Sequence, residues 1–279
     1  MKQTLLCLSL LVLSLKAFPQ QSFNVSIKGN GQPVLIFPGF TSTPEAFTTI
    51  IDVLSEDYEV HAFTFAGFGE VPPIDFPWLK TIQQDILQYI KENNLNNPII
   101  IGHSMGGTLG LWLATKTPEI SQLIVIDALP AMGALMIPNY DSSVIHYDTP
   151  YNQQLLTMDT TAFKAMAFQM ARRMSLNEEQ HEKIATRIIQ SDRKTYVYGY
   201  TDLLKWDLRP DLDKIKIPVT IIAATETYGE ATVSRNFNSQ YENLNGYNLI
   251  MAEGAAHYIM YDQPEWLLNK IQKVLIRND

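Results

Sequence analysis

From Phe23 onward, short apolar runs alternate with longer stretches of helical period. This alternation constrains the fold more than any other feature of the chain. Strands separated by helices cannot pair as tight hairpins, so they must lie parallel, joined by crossovers that cover both faces of a sheet. Runs at 34–37, 60–65, 98–101, 123–126, 219–224 and 247–251 predict strands. Stretches at 45–54, 78–92, 105–116 and 265–276 predict helices. In the second of these, Leu79, Ile82, Ile86, Leu87 and Ile90 share one face. Thr43 and Pro44 supply start signals for the first. The fold class is therefore α/β, and 46% hydrophobic against 18% charged residues is enough to build a large core.

The alternation fails between residues 131 and 210. That stretch predicts helices at 161–174 and 178–190, followed by Tyr196, Tyr198, Tyr200 and Trp206. It reads as a helical insertion between two sheet strands, placed where it would roof the crevice at the strand ends. Its methionines Met132, Met136, Met158, Met166, Met170 and Met174 suit an apolar lining, although the last three form a single helix stripe and read better as packing.

The first twenty residues differ in kind. Lys2 precedes an apolar run from Leu5 to Leu15, broken only by Ser9 and Ser14, and Lys16 to Gln21 turns polar. This pattern predicts a signal peptide at 1–20, export to a periplasmic or extracellular setting, and no stable membrane anchor once it is removed. The apolar run falls short of the roughly 20 residues that a spanning helix needs. Removal takes Lys2 and Lys16 and no acid, so the net charge moves from −8 to −10. Such a chain repels phosphate backbones, which excludes nucleic acid as a partner. Cys7 is the single cysteine, so the mature chain would hold no disulfide, thiolate metal site or cysteine nucleophile. The histidines are scattered without HExxH spacing, and Gly67-Phe68-Gly69 is too short for a dinucleotide loop. Neither a metal nor a cofactor is expected.

Chemistry concentrates in Gly102-His103-Ser104-Met105-Gly106-Gly107, which follows a predicted strand and opens a predicted helix. G-x-S-x-G in that setting is a strained turn that lifts the serine hydroxyl clear of the sheet. Flanking glycines let neighbouring backbone pass close, and the helix N-terminus offers N–H groups to a developing oxyanion.

With Phe37-Pro38-Gly39-Phe40 and Ala256-His257-Tyr258, this motif makes the chain resemble the α/β-hydrolase superfamily. The similarity is to its cap-bearing branch of small esterases, lipases, proline iminopeptidases and carbon–carbon hydrolases, over most of the chain from Phe23. The resemblance implies a mostly parallel central sheet with helices on both faces, a core at 21–130 and 211–279, and a helical cap at 131–210. It implies the order nucleophile, acid, histidine, with Ser104 as nucleophile and His257 as base. Backbone N–H groups of Met105 and Phe40 would form the oxyanion hole, with Pro38 standing where relatives often carry histidine. The acid is ambiguous. Relatives usually place an aspartate just past the strand at 219–224, where this chain has Thr227, which cannot ionise. Asp127, at the end of the preceding sheet strand, is the favoured substitute; Glu226 is the alternative and Glu230 a distant third. Thr64 also stands where relatives have an aspartate in a loop that shapes the pocket wall.

These residues imply acyl transfer to water on a small ester or amide, with a carboxylic ester as the default. Ser104 speaks against dehalogenase and epoxide-hydrolase chemistry, which uses an aspartate nucleophile in this fold. An aminopeptidase or amidase would need a carboxylate anchor for the substrate amine, for which Asp141, Asp148 and Glu178 are candidates. A non-catalytic binding module is the third reading, and no motif speaks to oligomeric state.

Overall fold

Among the described residues, seven strands form one sheet: β1 (Phe23–Lys28), β2 (Gln32–Phe37), β3 (Tyr58–Phe65), β4 (Ile99–His103), β5 (Gln122–Ile126), β6 (Val219–Ala224) and β7 (Asn248–Ala252). The computed structural model describes residues 21–276, so the predicted leader at 1–20 lies outside the described residues. Spatial order is β1-β3-β2-β4-β5-β6-β7. Every neighbouring pair is parallel except β1 with β3, which is antiparallel at the edge.

The central strands β4, β5 and β6 are buried along their whole length because both faces are covered. Period-two alternation divides the strands of the sheet between two cores. Leu35, Phe37, Ile100, Leu123, Val125 and Ile221 enter one. Val34, Ile36, Ile101, Ile124, Ile126 and Ile222 enter the other. The helices are α1 (Thr48–Leu54), α2 (Trp78–Glu92), α3 (Met105–Lys116), α4 (Met132–Met136), α5 (Pro150–Thr157), α6 (Thr160–Met174), α7 (His181–Gln190), α8 (Tyr200–Lys205), α9 (Glu230–Gln240), α10 (Ile259–Asp262) and α11 (Pro264–Ile276). The first core takes Ile82 and Ile86 of α2, Leu109 and Leu113 of α3, and Val233 and Phe237 of α9. The second takes Ile50 and Leu54 of α1 and Leu267 and Ile271 of α11. None of the helices among the described residues is long and apolar enough to cross a membrane.

The starts of two helices depart from the sequence expectations. The predicted helix at 45–54 begins as a 3-10 turn, Pro44–Phe47, and Thr43 makes no side-chain cap. The predicted helix at 178–190 likewise starts with a 3-10 turn, Glu178–Gln180, before α7.

Helices α4 to α8 all lie between β5 and β6, which are adjacent in the sheet. This helical insertion is tied to the sheet layer at several points. Glu45 accepts from Lys183, at 2.8 Å, and from Arg187. Asp192 N–H donates to Gly67 O at 2.9 Å. Asp202 accepts the Leu79 N–H at 3.1 Å and the Tyr147 hydroxyl, so an insertion carboxylate caps the start of α2. Burial raises the Asp202 pKa, and those hydrogen bonds oppose the rise. Phe163, Ala167, Ile184 and Ile188 give the insertion a share of the second core. Met166, Met170 and Met174 pack against that core as a stripe.

Candidate active site

Ser104 sits one residue past β4 and immediately before α3, at φ 53° and ψ −123°. A non-glycine residue there carries strain of order 1–3 kcal/mol, and the backbone around it explains how it is held. Ser104 N–H donates to Ile126 O at 2.9 Å, which extends the β4–β5 ladder. Its carbonyl accepts from Gly107 N–H (2.9 Å) and Thr108 N–H (3.1 Å), starting the helix. The turn is so tight that a Cβ on Gly102 would lie 2.3 Å from Gly106 O, and one on Gly106 would lie 2.1 Å from Phe37 O. Both positions therefore demand glycine.

The segment after β2 runs beside the serine. A Cβ on Gly39 would fall 3.2 Å from Ser104 Cβ and 2.8 Å from His103 Nδ1. Phe40 follows directly. Its ring packs at edge and tilted angles against Phe68, Trp78, Tyr196 and Tyr200, so it joins the sheet layer to the insertion. Met105 is the first residue of α3, a position whose N–H has no intrahelical acceptor. Both predicted oxyanion donors thus lie on segments that converge at Ser104.

Asp127 occupies the residue after β5, at φ 43°. Its N–H donates to Ile222 O at 2.7 Å, pinning it between β5 and β6. Its carboxylate is fully directed: Oδ1 accepts Ala224 N–H at 3.0 Å, and Oδ2 lies 2.6 Å from His257 Nδ1. A carboxylate can only accept here, so Nδ1 carries a proton and Nε2 is the ring nitrogen left for a second partner. Glu226, Thr227 and Glu230 are solvent-exposed. Glu226 meets the His257 loop only through its backbone N–H, which donates to Ala255 O at 3.1 Å. Of the candidate acids, the structure brings Asp127 to His257 and leaves both glutamates outside.

His257 is held by three elements. Its carbonyl accepts from His103 Nε2 at 2.9 Å, and the two rings lie 4.5 Å apart. The preceding residue, Ala256, donates its N–H to Asp262 Oδ2 at 2.7 Å. The following residue, Tyr258, donates its N–H to Met174 O at 2.8 Å. His103 is fully buried with Nδ1 unpaired, and burial, aided by the neighbouring His257, pushes its pKa well below 6.5. It is a neutral donor to the His257 backbone. Tyr258 is buried beside it, and burial raises its phenol to about 12 against the opposing hydrogen bond to Ser42. His61, by contrast, lies in β3 and engages Tyr89 and Glu59.

The site sits at the carboxyl ends of β4, β5 and β7, where ligands of open α/β sheets bind. A 580 Å³ surface cleft bordered by Gln32, Glu59 and Asn97 lies at the opposite, amino-terminal edge and has no part in it. Among the described residues no cluster of His, Cys, Asp and Glu could hold a metal ion. The proposed amine anchors Asp141, Asp148 and Glu178 are all exposed, and the half-buried insertion carboxylate Asp202 is spent on α2 and Tyr147. Sequence reasoning did not find Asp262; its only signal is a carboxylate five residues beyond the histidine and two before a helix-opening proline.

Comparison with known proteins agrees with this architecture. The family model described as the alpha/beta hydrolase family matches residues 34–270. The chain is 23% identical over 256 residues to 3-oxoadipate enol-lactonase 1 of Acinetobacter baylyi, covering 88% of this chain and 91% of that protein. Its fold is similar to that of the enol-lactonase from Burkholderia xenovorans, with a TM-score of 0.75 at 16% identity, covering 91% of this chain and 96% of the other. It is also similar to an esterase from Exiguobacterium antarcticum, with a TM-score of 0.74 at 18% identity, over 90% and 94% of the two chains. A seven-stranded, mostly parallel sheet covered by helices on both faces, with a family match over most of its length, makes this chain a hydrolase of the alpha/beta hydrolase family.

Proposed function

We propose that the protein is a carboxylic-ester hydrolase that transfers an acyl group to water through Ser104, His257 and Asp127. The observation that carries this reading is the 2.6 Å contact between Asp127 Oδ2 and His257 Nδ1, set beside a serine lifted at φ 53° from the end of the adjoining strand. His257 Nε2 takes the Ser104 proton as Oγ attacks the substrate carbonyl carbon, and Asp127 stabilises the imidazolium. N–H groups of Phe40 and Met105 receive the oxyanion. His257 then returns the proton to the leaving alcohol, and a water activated in the same way cleaves the acyl-enzyme.

An ester is favoured over a peptide amine terminus because the insertion carboxylates are either exposed or engaged elsewhere. The relatives point the same way: a lactone is a cyclic ester, and the protein from Exiguobacterium antarcticum is named an esterase. The helical insertion at 131–210 serves as the cap over the reacting bond, and the leader-like residues 1–20 direct the enzyme to an exported setting.

The test is labelling by a fluorophosphonate, together with turnover of p-nitrophenyl esters and a peptide panel. Wild type is expected to label stoichiometrically and cleave esters, and Ser104→Ala to do neither. A folded wild-type protein that stays unlabelled and inert refutes the proposal, and cleavage of amino-terminal peptides in preference to esters moves it to the aminopeptidase class.

A further inference from the structure

Asp262 closes the short helix α10, five residues beyond His257. None of its hydrogen bonds among the described residues caps the following helix, α11. Oδ1 accepts from Ser175 Oγ at 2.5 Å, Leu176 N–H at 2.9 Å and Asn177 N–H at 3.2 Å. Oδ2 accepts the Ala256 N–H at 2.7 Å. One carboxylate therefore grips the turn between α6 and α7 with one oxygen and the residue before His257 with the other. Bonds to an ionised acceptor are about twice as strong as neutral ones. A second bond runs in parallel, from Tyr258 N–H to Met174 O at 2.8 Å, so His257 is flanked by one direct insertion contact and by one relayed through Asp262. Asn177 Nδ2 adds a third, to Tyr261 O at 3.4 Å.

We propose that Asp262 is a positioning residue through which the α6–α7 turn of the insertion sets the orientation of His257. It rests on the Ser104–His257–Asp127 reading and extends it. The insertion then does more than cover the site: its seating on the sheet layer is transmitted to the base. With the α6–α7 turn docked, the Ala256 N–H is held and the imidazole stays aligned with Asp127. With the turn released, that restraint on the loop is lost and the ring is free to drift from the line between Asp127 and Ser104. Displacement of a catalytic group by about 1 Å can cost on the order of 100-fold in rate.

The test uses the full protein with Asp262→Asn and Ser175→Ala. An asparagine has one acceptor oxygen, so it can serve the α6–α7 turn or Ala256, not both. Ser175→Ala removes one insertion contact and leaves the Ala256 bond in place. Active sites are titrated with a fluorophosphonate, and kcat per titrated site and KM are measured on p-nitrophenyl butyrate. The downfield proton resonance of His257 Nδ1–H is recorded alongside. Asp262→Asn is expected to lower kcat per site by about 10- to 100-fold with KM within about two-fold, and to shift or broaden the resonance. Ser175→Ala is expected to move both readouts the same way by less. A merely structural role would reduce the number of titratable sites and leave kcat per site intact, and that result overturns the proposal. So does an Asp262→Asn effect with Ser175→Ala at wild-type rate and resonance, which cuts the insertion out of the link. If Asp262→Asn does not fold, Ser175→Ala alone decides in the same terms. Should wild type prove inert, the triad reading fails separately, and the resonance still decides whether Asp262 and Ser175 govern the ring.

Discussion

Replacing Asp127 by asparagine should leave the fold intact and nearly abolish turnover. The Ala224 N–H that now meets Oδ1 at 3.0 Å will hold the amide oxygen in that place, because the amide nitrogen cannot accept. The side-chain NH2 then faces His257 Nδ1, which lies 2.6 Å from Oδ2 in the native protein. To avoid donor against donor, the imidazole must switch tautomer, moving its proton to Nε2, where the base needs a lone pair. The charge that stabilises the imidazolium is lost as well. Together these effects are worth about 10⁴-fold in kcat, or roughly 5.5 kcal/mol of barrier. Glu226→Gln, at an exposed position, should change the rate by less than about two-fold. The assay is kcat/KM for a p-nitrophenyl ester, normalised to active sites, with circular dichroism to verify folding. If Asp127→Asn retains most of its rate while Glu226→Gln loses it, the acid has been misassigned and the geometric reasoning fails.

Three further outcomes follow from the packing. Because burial depresses His103 well below 6.5, the folded state binds fewer protons than the unfolded state at mildly acid pH, so stability falls as pH drops through about 6.5, by up to about 1.4 kcal/mol per unit. His103→Gln keeps a donor for the His257 carbonyl and should flatten that slope in urea titrations between pH 5 and 7; parallel curves would contradict it. Tyr241 is buried and donates to Ala128 O at 2.7 Å, so Tyr241→Phe should cost about 1–3 kcal/mol by leaving that carbonyl unpaired, measured by equilibrium unfolding. Gly106→Ala forces a Cβ to within 2.1 Å of Phe37 O, backbone that cannot step aside, and should lower thermal stability and abolish labelling together; a native melting curve would show the elbow to be looser than described.

How much was legible in advance depended on how many faces an element buries. Helices α2 and α3 and strand β6 could be read to the residue because their apolar periods are dense. Edge strand β1 was not read as a strand: Ile27 is 57% exposed, and only Phe23 is fully buried. Helix α9 was also missed, since only Val233, Phe237 and Gln240 of its eleven residues turn inward. The serine and histidine announced themselves through local motifs. The proposed acid did not, because Asp127 and Glu226 both follow strands, and their difference lies in a positive φ at Asp127 and in which side chain faces inward. Asp262 was invisible for a similar reason. Its partners on the insertion lie 85 or more residues away, and no local pattern encodes that meeting.

Ser104, Asp127 and His257 stand at the tips of three separate strands, and the last pair is 130 residues apart along the chain. Contacts between such distant points must first meet the cost of closing long loops. A partly assembled sheet, with β4 and β5 joined but β6 and β7 still adrift, would present a serine with no base to awaken it. On the proposed triad, reactivity is expected only once the final strand has joined. The appearance of a labelled serine during refolding becomes a clock for completion of the whole sheet.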